Sequence, residues 1–131
     1  VMNGDLLTTV DFRKLLEFHT KHDSEATMCV REHEYQVRYG IVEIADDARI
    51  QQLQEKPTYK HLINAGIYCL SPESLDLIPE NQHYDMPSLF KKVKETSDHI
   101  FSFPIHEYWL DIGVADDLQQ ANKEYDNVLL R

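Results

Sequence analysis

The sequence predicts a mixed α/β sheet flanked by helices. Short apolar runs alternate in part with amphipathic stretches, and glycines or prolines bound many of these runs. The length of 131 residues and the hydrophobic share of 42% fit one domain, or part of one, with a modest core. No repeat, low-complexity tract or Gly/Ser-rich linker interrupts the chain. We therefore expect no internal domain boundary.

The first elements are predicted to be a strand, a sharp turn and a helix. Val1-Met2 is typical of a strand end, and Gly4-Asp5 of the exit from it. Thr9 is predicted to cap a helix that carries Asp11 in its first turn. The apolar stripe of this helix recurs at helical spacing, at Phe12, Leu15, Leu16 and His19.

Three strands are predicted in the next segment. Residues 26–30 form a buried strand, and the polar residues 31–38 connect it to a strand over 41–44. After a turn at Asp46-Asp47, residues 49–54 continue as a strand. Pro57 is predicted to end regular pairing and to hold the preceding Lys56 in an extended conformation.

The remainder predicts helices separated by strands. Ser71-Pro72 and Asp85-Met86-Pro87 have the cap residue and early proline of helix starts. In order along the chain, we expect a strand over 61–70, the two helices that begin at these caps, a strand over 99–103, an exit loop over 109–113 and a closing helix over 114–125.

The charge and the cysteines exclude several classes of partner. A net charge of -10 repels nucleic acid and anionic membranes over most of the surface, so we expect neither as a partner. Cys29 and Cys69 lie in apolar stretches without metal-like spacing and are predicted to be reduced core residues. The sequence has no signal peptide and no apolar run of membrane-spanning length, from which we expect a cytoplasmic location.

The glycines direct attention to a candidate site. The chain has four glycines, and polar residues stand beside the turns they mark: Asp5, Glu55-Lys56, Asn64 and Asp111. Ligands bind at strand exits in open α/β sheets. Asp5 and Asp111 are candidate ligands for Mg²⁺, which prefers hard oxygen donors, and Lys56 is a candidate phosphate clamp. Each has a plainer alternative, a turn residue or helix cap for the aspartates and a solvated surface charge for Lys56.

Five short motifs in order resemble the sugar nucleotidyltransferase family. They are Asn3-Gly4-Asp5, Tyr39-Gly40, Glu55-Lys56-Pro57, Asn64-Ala65-Gly66-Ile67-Tyr68 and Trp109-Leu110-Asp111-Ile112-Gly113. The resemblance runs from Val1 to about Asn122. The segment 63–66, followed by Ser71-Pro72, looks more like the mannose-1-phosphate guanylyltransferase branch than the glucose-1-phosphate thymidylyltransferase branch. The resemblance implies a Rossmann-like nucleotidyltransferase fold, present here in part.

The resemblance also implies a reaction and a role for each matching residue. A sugar 1-phosphate oxygen attacks the α-phosphorus of a nucleoside triphosphate, with GTP favoured, and pyrophosphate leaves. Asp5 and Asp111 would hold Mg²⁺, with Gly4 letting the metal approach the main chain, and Lys56 would grip the sugar phosphate. The residues expected to face the sugar are Gly40, Glu55, Asn64 and Gly66. Trp109 is expected to pack under the Asp111 loop rather than to stack on a sugar.

One part of the family pattern is absent from this sequence. The Gly-rich loop with its Arg and the following Pro-Lys-Pro stretch, which cradle the triphosphate, do not occur. We therefore expect residues 1–131 to be the C-terminal portion of a catalytic domain, inactive alone, with exposed apolar edges that favour association between copies.

Two other functions are weaker alternatives. A regulatory module that binds nucleotide sugar without catalysis would not need two metal aspartates together with Lys56. A metal-dependent glycosyltransferase usually has an Asp-x-Asp pair, whereas Asp5 is followed by Leu6-Leu7.

Overall fold

A computed structural model describes residues 1–128 and contains helices and strands in mixed order. Along the chain these are β1 (Leu6–Thr8), α1 (Phe12–Lys21), β2 (Ala26–Gln36), β3 (Ile41–Ile44), β4 (Ile50–Gln54), β5 (Thr58–Leu70), α2 (Pro72–Leu75), α3 (Met86–Thr96), β6 (Ile100–Pro104), β7 (Trp109–Asp111) and α4 (Ala115–Val128).

The strands combine parallel and antiparallel pairing, which confirms the predicted mixed sheet. The main sheet has the order β5-β2-β6, and β2 runs parallel to β6 with Ala26 opposite Ile100. Two antiparallel pairs, β1 with β7 and β3 with β4, accompany it. A parallel pair needs a crossover, and the chain between β2 and β6 includes helices α2 and α3.

The chain forms two compact units, a division that the sequence did not predict. The larger unit consists of Val1–Arg31 together with the chain from residue 64 onward. The smaller unit is Glu32–Ile63, which contains the β3–β4 hairpin.

The core of the larger unit lies on both faces of the main sheet. Alternate residues of β2 and β5 enter two different hydrophobic clusters, as side chains on a strand alternate between faces. One cluster includes Val10, Leu15, Cys29, Ala65, Ile67 and Ile105. The other contains Ala26, Tyr68, Leu89, Phe90 and Val93. Burial on both faces explains why the sequence of these strands is a nearly continuous apolar run.

The start of helix α1 differs from the prediction. Asp11, not Thr9, is the cap residue, because its carboxylate accepts hydrogen bonds from the backbone N–H groups of Arg13 (3.0 Å) and Lys14 (3.3 Å). The backbone N–H of Thr9 instead donates to the carbonyl of Tyr108 at 3.0 Å and so extends the pairing next to β7. Within the predicted stripe, Leu15 and His19 are buried, whereas Phe12 and Leu16 are exposed.

Two segments predicted to be loops form strands in the structure. The polar residues 31–36 continue β2, and residues 109–111 form β7. Lys60 on β5 forms ion pairs with Glu32 (3.0 Å) and Glu34 (3.1 Å) on β2. Oppositely charged pairs across neighbouring strands stabilise an exposed strand, just as apolar pairs stabilise a buried one. Hydropathy alone therefore underestimated the length of β2.

Other local predictions are confirmed. Asp85 caps α3 by accepting from the backbone N–H of Ser88 at 2.8 Å, and Ser71 and Pro72 begin α2. Cys29 and Cys69 are free thiols, and burial raises the pKa of Cys29 to about 12. Among residues 1–128, no helix has the length and apolar character to cross a membrane.

Exposed apolar side chains cover one part of the smaller unit. On the β3–β4 hairpin, Val42 lies opposite Leu53, and Ile44 lies opposite Ile50. All four side chains are between 49% and 64% exposed. This agrees with the expectation of exposed apolar surface, whereas association between copies stays a prediction.

Candidate functional site

The two candidate metal aspartates lie beside each other in the larger unit. Asp111 ends β7 opposite Leu6, and the backbone N–H of Ile112 donates to the carbonyl of Asp5 at 2.8 Å. Both aspartates are exposed. Asp5 belongs to the turn that precedes β1. Asp5 and Asp111, 106 positions apart in sequence, are thus neighbours in the backbone pairing.

The turn that carries Asp5 is also joined to the segment that carries Asn64. The backbone N–H of Asn3 donates to the carbonyl of Gly66 at 2.9 Å, and Met2 bridges Ile67. Gly66 has φ +69°, and a Cβ added there would lie 2.7 Å from Asn3 Nδ2. The close approach of the two segments therefore requires glycine at position 66.

Trp109 provides a third connection, from β7 to the same segment. Its indole N–H donates to the carbonyl of Ala65 at 2.8 Å, and its partly buried ring packs against the first hydrophobic cluster. The Arg31 guanidinium lies 5.9 Å from the centroid of the ring and donates to the carbonyl of Glu107 at 2.9 Å. Trp109 thus packs against the core, and the expectation that it does not stack on a sugar stays a prediction. Three of the five motifs are thus linked in a closed ring of hydrogen bonds.

The side chain of Asn64 is held by two hydrogen bonds. Its Oδ1 accepts from the backbone N–H of Gly66 at 2.9 Å, and its Nδ2 donates to the Tyr68 hydroxyl at 2.8 Å. An amide oxygen has a second lone pair and an amide nitrogen a second proton. Asn64 is exposed, so a fixed donor and a fixed acceptor remain for a hydroxyl-rich ligand.

The other two motifs meet in the smaller unit. A Cβ added at Gly40 would lie 3.0 Å from Glu55 Oε2 and 3.8 Å from the carbonyl oxygen of Gln54. Gly40, Glu55 and Lys56 are all exposed. A larger residue at position 40 would therefore displace the Glu55 carboxylate.

The predicted extended conformation of Lys56 is wrong. Lys56 has φ +45°, in the left-handed region, although it precedes proline. The end of β2 explains this turn, since Gln36 Nε2 donates to the Lys56 carbonyl at 3.2 Å and the Val37 N–H donates to the Pro57 carbonyl at 3.0 Å. A left-handed conformation costs a non-glycine residue about 1–2 kcal/mol. Strain of this kind is frequent at functional sites.

Gly4 has no steric reason to be glycine in this structure. A Cβ added there would meet no protein atom within 4 Å, and the expected approach of a metal ion to its main chain stays a prediction. Sequence reasoning also gave no role to Asn3 or Arg31. The motif Asn3-Gly4-Asp5 could have drawn attention to Asn3, whereas no sequence pattern indicated Arg31. In the described part of the chain, no three His, Cys, Asp or Glu side chains are grouped to hold a metal ion.

Comparison with known proteins assigns this arrangement to a family. Residues 1–128 match the family described as nucleotidyl transferase. The chain belongs to this family. The predicted family and the class of fold are therefore confirmed.

Relatives in this family act on different sugars and nucleotides according to their names. The chain is 34% identical over 125 residues to a mannose-1-phosphate guanyltransferase of Pichia angusta, a match that covers 89% of this chain and 33% of the relative. It is 29% identical over 135 residues to a glucose-1-phosphate adenylyltransferase of Desulforamulus reducens, a match that covers 95% of this chain and 34% of the relative. The chain thus spans about a third of the length of these relatives.

The structure is similar to a solved structure of HddC from Yersinia pseudotuberculosis. The TM-score is 0.62 at 25% sequence identity, and the match covers 95% of this chain and 54% of the other. A similarity of this extent supports the same arrangement of elements over nearly the whole chain.

Proposed function

We propose that this chain forms the sugar-phosphate and metal side of an enzyme that transfers a nucleotidyl group to a sugar 1-phosphate. The ring of hydrogen bonds among three family motifs carries this proposal. It holds the Asp5 turn, the Asn64 segment and the Asp111 strand together in a chain of the nucleotidyl transferase family. In the reaction, a sugar-phosphate oxygen forms a bond to the α-phosphorus, and the bond from that phosphorus to the leaving pyrophosphate breaks.

Asp5 and Asp111 are proposed to hold Mg²⁺. The donor set fits this ion, because Mg²⁺ in phosphoryl-transfer sites takes one or two carboxylates and fills its other positions with water and phosphate oxygens. When bound, Mg²⁺ supplies neutralisation of the charge that develops on the leaving pyrophosphate.

The residues around the sugar phosphate are proposed to orient it. Lys56 contributes a positive charge for the phosphate, on a loop whose backbone conformation is fixed by β2. Asn64 offers the remaining donor and acceptor of its held amide to sugar hydroxyls. Glu55 accepts hydrogen bonds from such hydroxyls, and Gly40 permits its carboxylate to lie close to the main chain.

Mannose 1-phosphate and GTP are the proposed substrates. The Pichia angusta relative, which is named for this activity, supports them, as does the resemblance of residues 63–66 and Ser71-Pro72 to that branch. The absence of the Gly-rich triphosphate loop from this sequence leads us to expect sugar-phosphate binding without transfer by this chain alone.

Calorimetric titration of this chain tests the proposal. We expect saturable binding of mannose 1-phosphate in Mg²⁺, with weaker binding of glucose 1-phosphate, and at least a tenfold loss of affinity without Mg²⁺ or in Asp111→Asn. Asp76→Asn is the matched control, since Asp76 is an exposed aspartate at the end of α2 and should bind as the wild type does. Binding of neither sugar phosphate, or equal binding with and without Mg²⁺, would contradict the proposal.

A further inference from the structure

Trp109 connects the two halves of the proposed site in the larger unit. It is the single tryptophan of the chain and lies two residues before Asp111 on β7. Its indole N–H donates to the carbonyl of Ala65, 44 residues away in sequence, at 2.8 Å. Ala65 is completely buried and lies between Asn64 and Gly66. A displacement of β7 therefore acts directly on the backbone that holds the Asn64 amide.

The indole ring has little freedom to absorb such a displacement. It packs against the first hydrophobic cluster, and the Arg31 guanidinium lies 5.9 Å from its centroid, within the range of a cation–π interaction. Arg31 is fixed in turn by its hydrogen bond to the Glu107 carbonyl at 2.9 Å. Rotation of the indole would break its hydrogen bond to Ala65 and its contact with Arg31 together.

A second connection joins the Asn64 segment to the turn that carries Asp5. The Gly66 carbonyl accepts from Asn3, and the Asp5 carbonyl accepts from Ile112, which follows Asp111. The sugar segment is therefore attached to both aspartates, to one through Trp109 and to the other through Asn3. A displacement of either the Asp5 turn or β7 therefore strains a hydrogen bond to the Asn64–Gly66 segment.

We infer that Trp109 is a positioning residue that couples Mg²⁺ binding at Asp5 and Asp111 to sugar-phosphate binding at the Asn64 segment. The inference rests on the proposed function. Asp111 would be restricted at the end of β7 when it holds Mg²⁺, and the indole hydrogen bond would pass this restriction to the Ala65 carbonyl and thereby to the Asn64 amide. Coupling of this kind is reciprocal, so sugar phosphate strengthens Mg²⁺ binding by the same factor.

The coupling factor is the quantity that tests this inference. It is the ratio of the dissociation constants of mannose 1-phosphate measured without and with saturating Mg²⁺. We expect a factor of about 10 or more for the wild type, within the usual range for coupled sites. Trp109→Phe keeps an aromatic ring in the cluster but removes the N–H group. We expect its factor to fall about fivefold, the effect of one lost neutral hydrogen bond, while its affinity for Mg²⁺ alone stays within about twofold of the wild type.

Two further variants complete the experiment. Tyr84→Phe is the control, because the Tyr84 hydroxyl also donates to a backbone carbonyl, that of Ser88, but packs against the second hydrophobic cluster. This variant should keep the coupling factor of the wild type. Arg31→Lys keeps the positive charge but loses the planar guanidinium, and should lower the factor in the same direction as Trp109→Phe. Circular dichroism of each variant establishes that it is folded, and Arg31→Lys provides the test if Trp109→Phe does not fold.

The outcomes separate the inference from the proposed function. A folded Trp109→Phe with the wild-type coupling factor would overturn the inference, even if its stability is reduced, because the tryptophan would then serve packing alone. Loss of coupling in Tyr84→Phe as well would overturn it too, since the effect would not be specific to the ring of motifs. A wild type that binds mannose 1-phosphate equally with and without Mg²⁺ refutes the proposed function, and the inference with it.

Discussion

Replacement of Gly66 by alanine tests whether the ring of motifs determines the stability of the larger unit. An added Cβ would lie 2.7 Å from Asn3 Nδ2 and 3.1 Å from Leu6 Cδ1, both closer than van der Waals contact permits. The φ of +69° adds about 1–2 kcal/mol for an L-residue, and overpacking about 1–3 kcal/mol. Alanine restricts the unfolded chain and offsets up to about 1 kcal/mol. With an offset of about 1 kcal/mol, we expect Gly66→Ala to lower the free energy of unfolding by about 1–4 kcal/mol.

Urea unfolding, followed by circular dichroism and by Trp109 fluorescence, measures this loss. Gly4→Ala is the matched control, because a Cβ at position 4 meets no atom within 4 Å, and it should change the free energy of unfolding by no more than about 0.5 kcal/mol. Asn3→Ala in the Gly66→Ala background removes the closest clashing atoms and should recover about 1–2 kcal/mol, which leaves the cost of the backbone conformation.

Equal losses in Gly66→Ala and Gly4→Ala would refute this reasoning. The Asn3 turn would then move away from β5 without cost, and the hydrogen bond between Asn3 and the Gly66 carbonyl would not constrain the site. A large loss in Gly66→Ala that Asn3→Ala does not relieve would assign the effect to the left-handed backbone and to the contact with Leu6.

Three further changes test other parts of the structure. Lys56→Gly removes the left-handed penalty and should raise the free energy of unfolding, measured in urea, by up to about 1 kcal/mol. Calorimetry of the same variant should show at least tenfold weaker binding of mannose 1-phosphate. A lower free energy of unfolding would contradict backbone strain at Lys56. Burial lowers the pKa of His19, so the unfolded chain binds a proton more readily than the folded one, and the urea midpoint should fall as the pH decreases below about 6.5. This fall should be smaller in His19→Gln and unchanged in His106→Gln, an exposed histidine; equal slopes in all three proteins would exclude His19 as the cause. Tyr108→Phe removes the hydrogen bond to Glu124 on α4 and should lower the free energy of unfolding by about 1 kcal/mol. An unchanged midpoint of thermal unfolding would show that this hydrogen bond does not stabilise the helix.

The sequence predicts most of the helices and strands, including the exposed hairpin strands β3 and β4, but not the exposed end of β2. The strands of the main sheet are visible as apolar runs because both of their faces are buried, and Asp85 and Ser71 mark helix starts by the chemistry of their caps. The extension of β2 beyond Arg31 is not visible, because Glu32 and Glu34 pair with Lys60 across the strands instead of burying apolar surface. Charge pairs of this kind depend on which strands are neighbours.

The candidate site is predictable as a set of motifs but not as a structure. Resemblance to the family selects Asp5 and Asp111, yet only the pairing of β1 with β7 shows that they are neighbours. The left-handed conformation of Lys56 depends on hydrogen bonds from Gln36 and Val37, about 20 residues away. Rules for the residue before proline describe local sterics, and tertiary hydrogen bonds overcame them here. The chemical roles of these residues stay predictions.

Electrostatics gives a reason for joining the metal and sugar segments. The chain has a net charge of -10, and both proposed substrates carry phosphate groups. Among the residues proposed to bind substrates or Mg²⁺ in either unit, Lys56 alone is positively charged, whereas Asp5, Glu55 and Asp111 repel phosphate. A single exposed lysine contributes little attraction in water, so a divalent cation must supply most of it. Under the proposed function, this chain would therefore bind sugar phosphate more tightly once the cation is bound. The hydrogen bonds from Trp109 and Asn3 to the Asn64 segment provide a physical route for that order, since they make the sugar segment depend on the strands that carry the carboxylates.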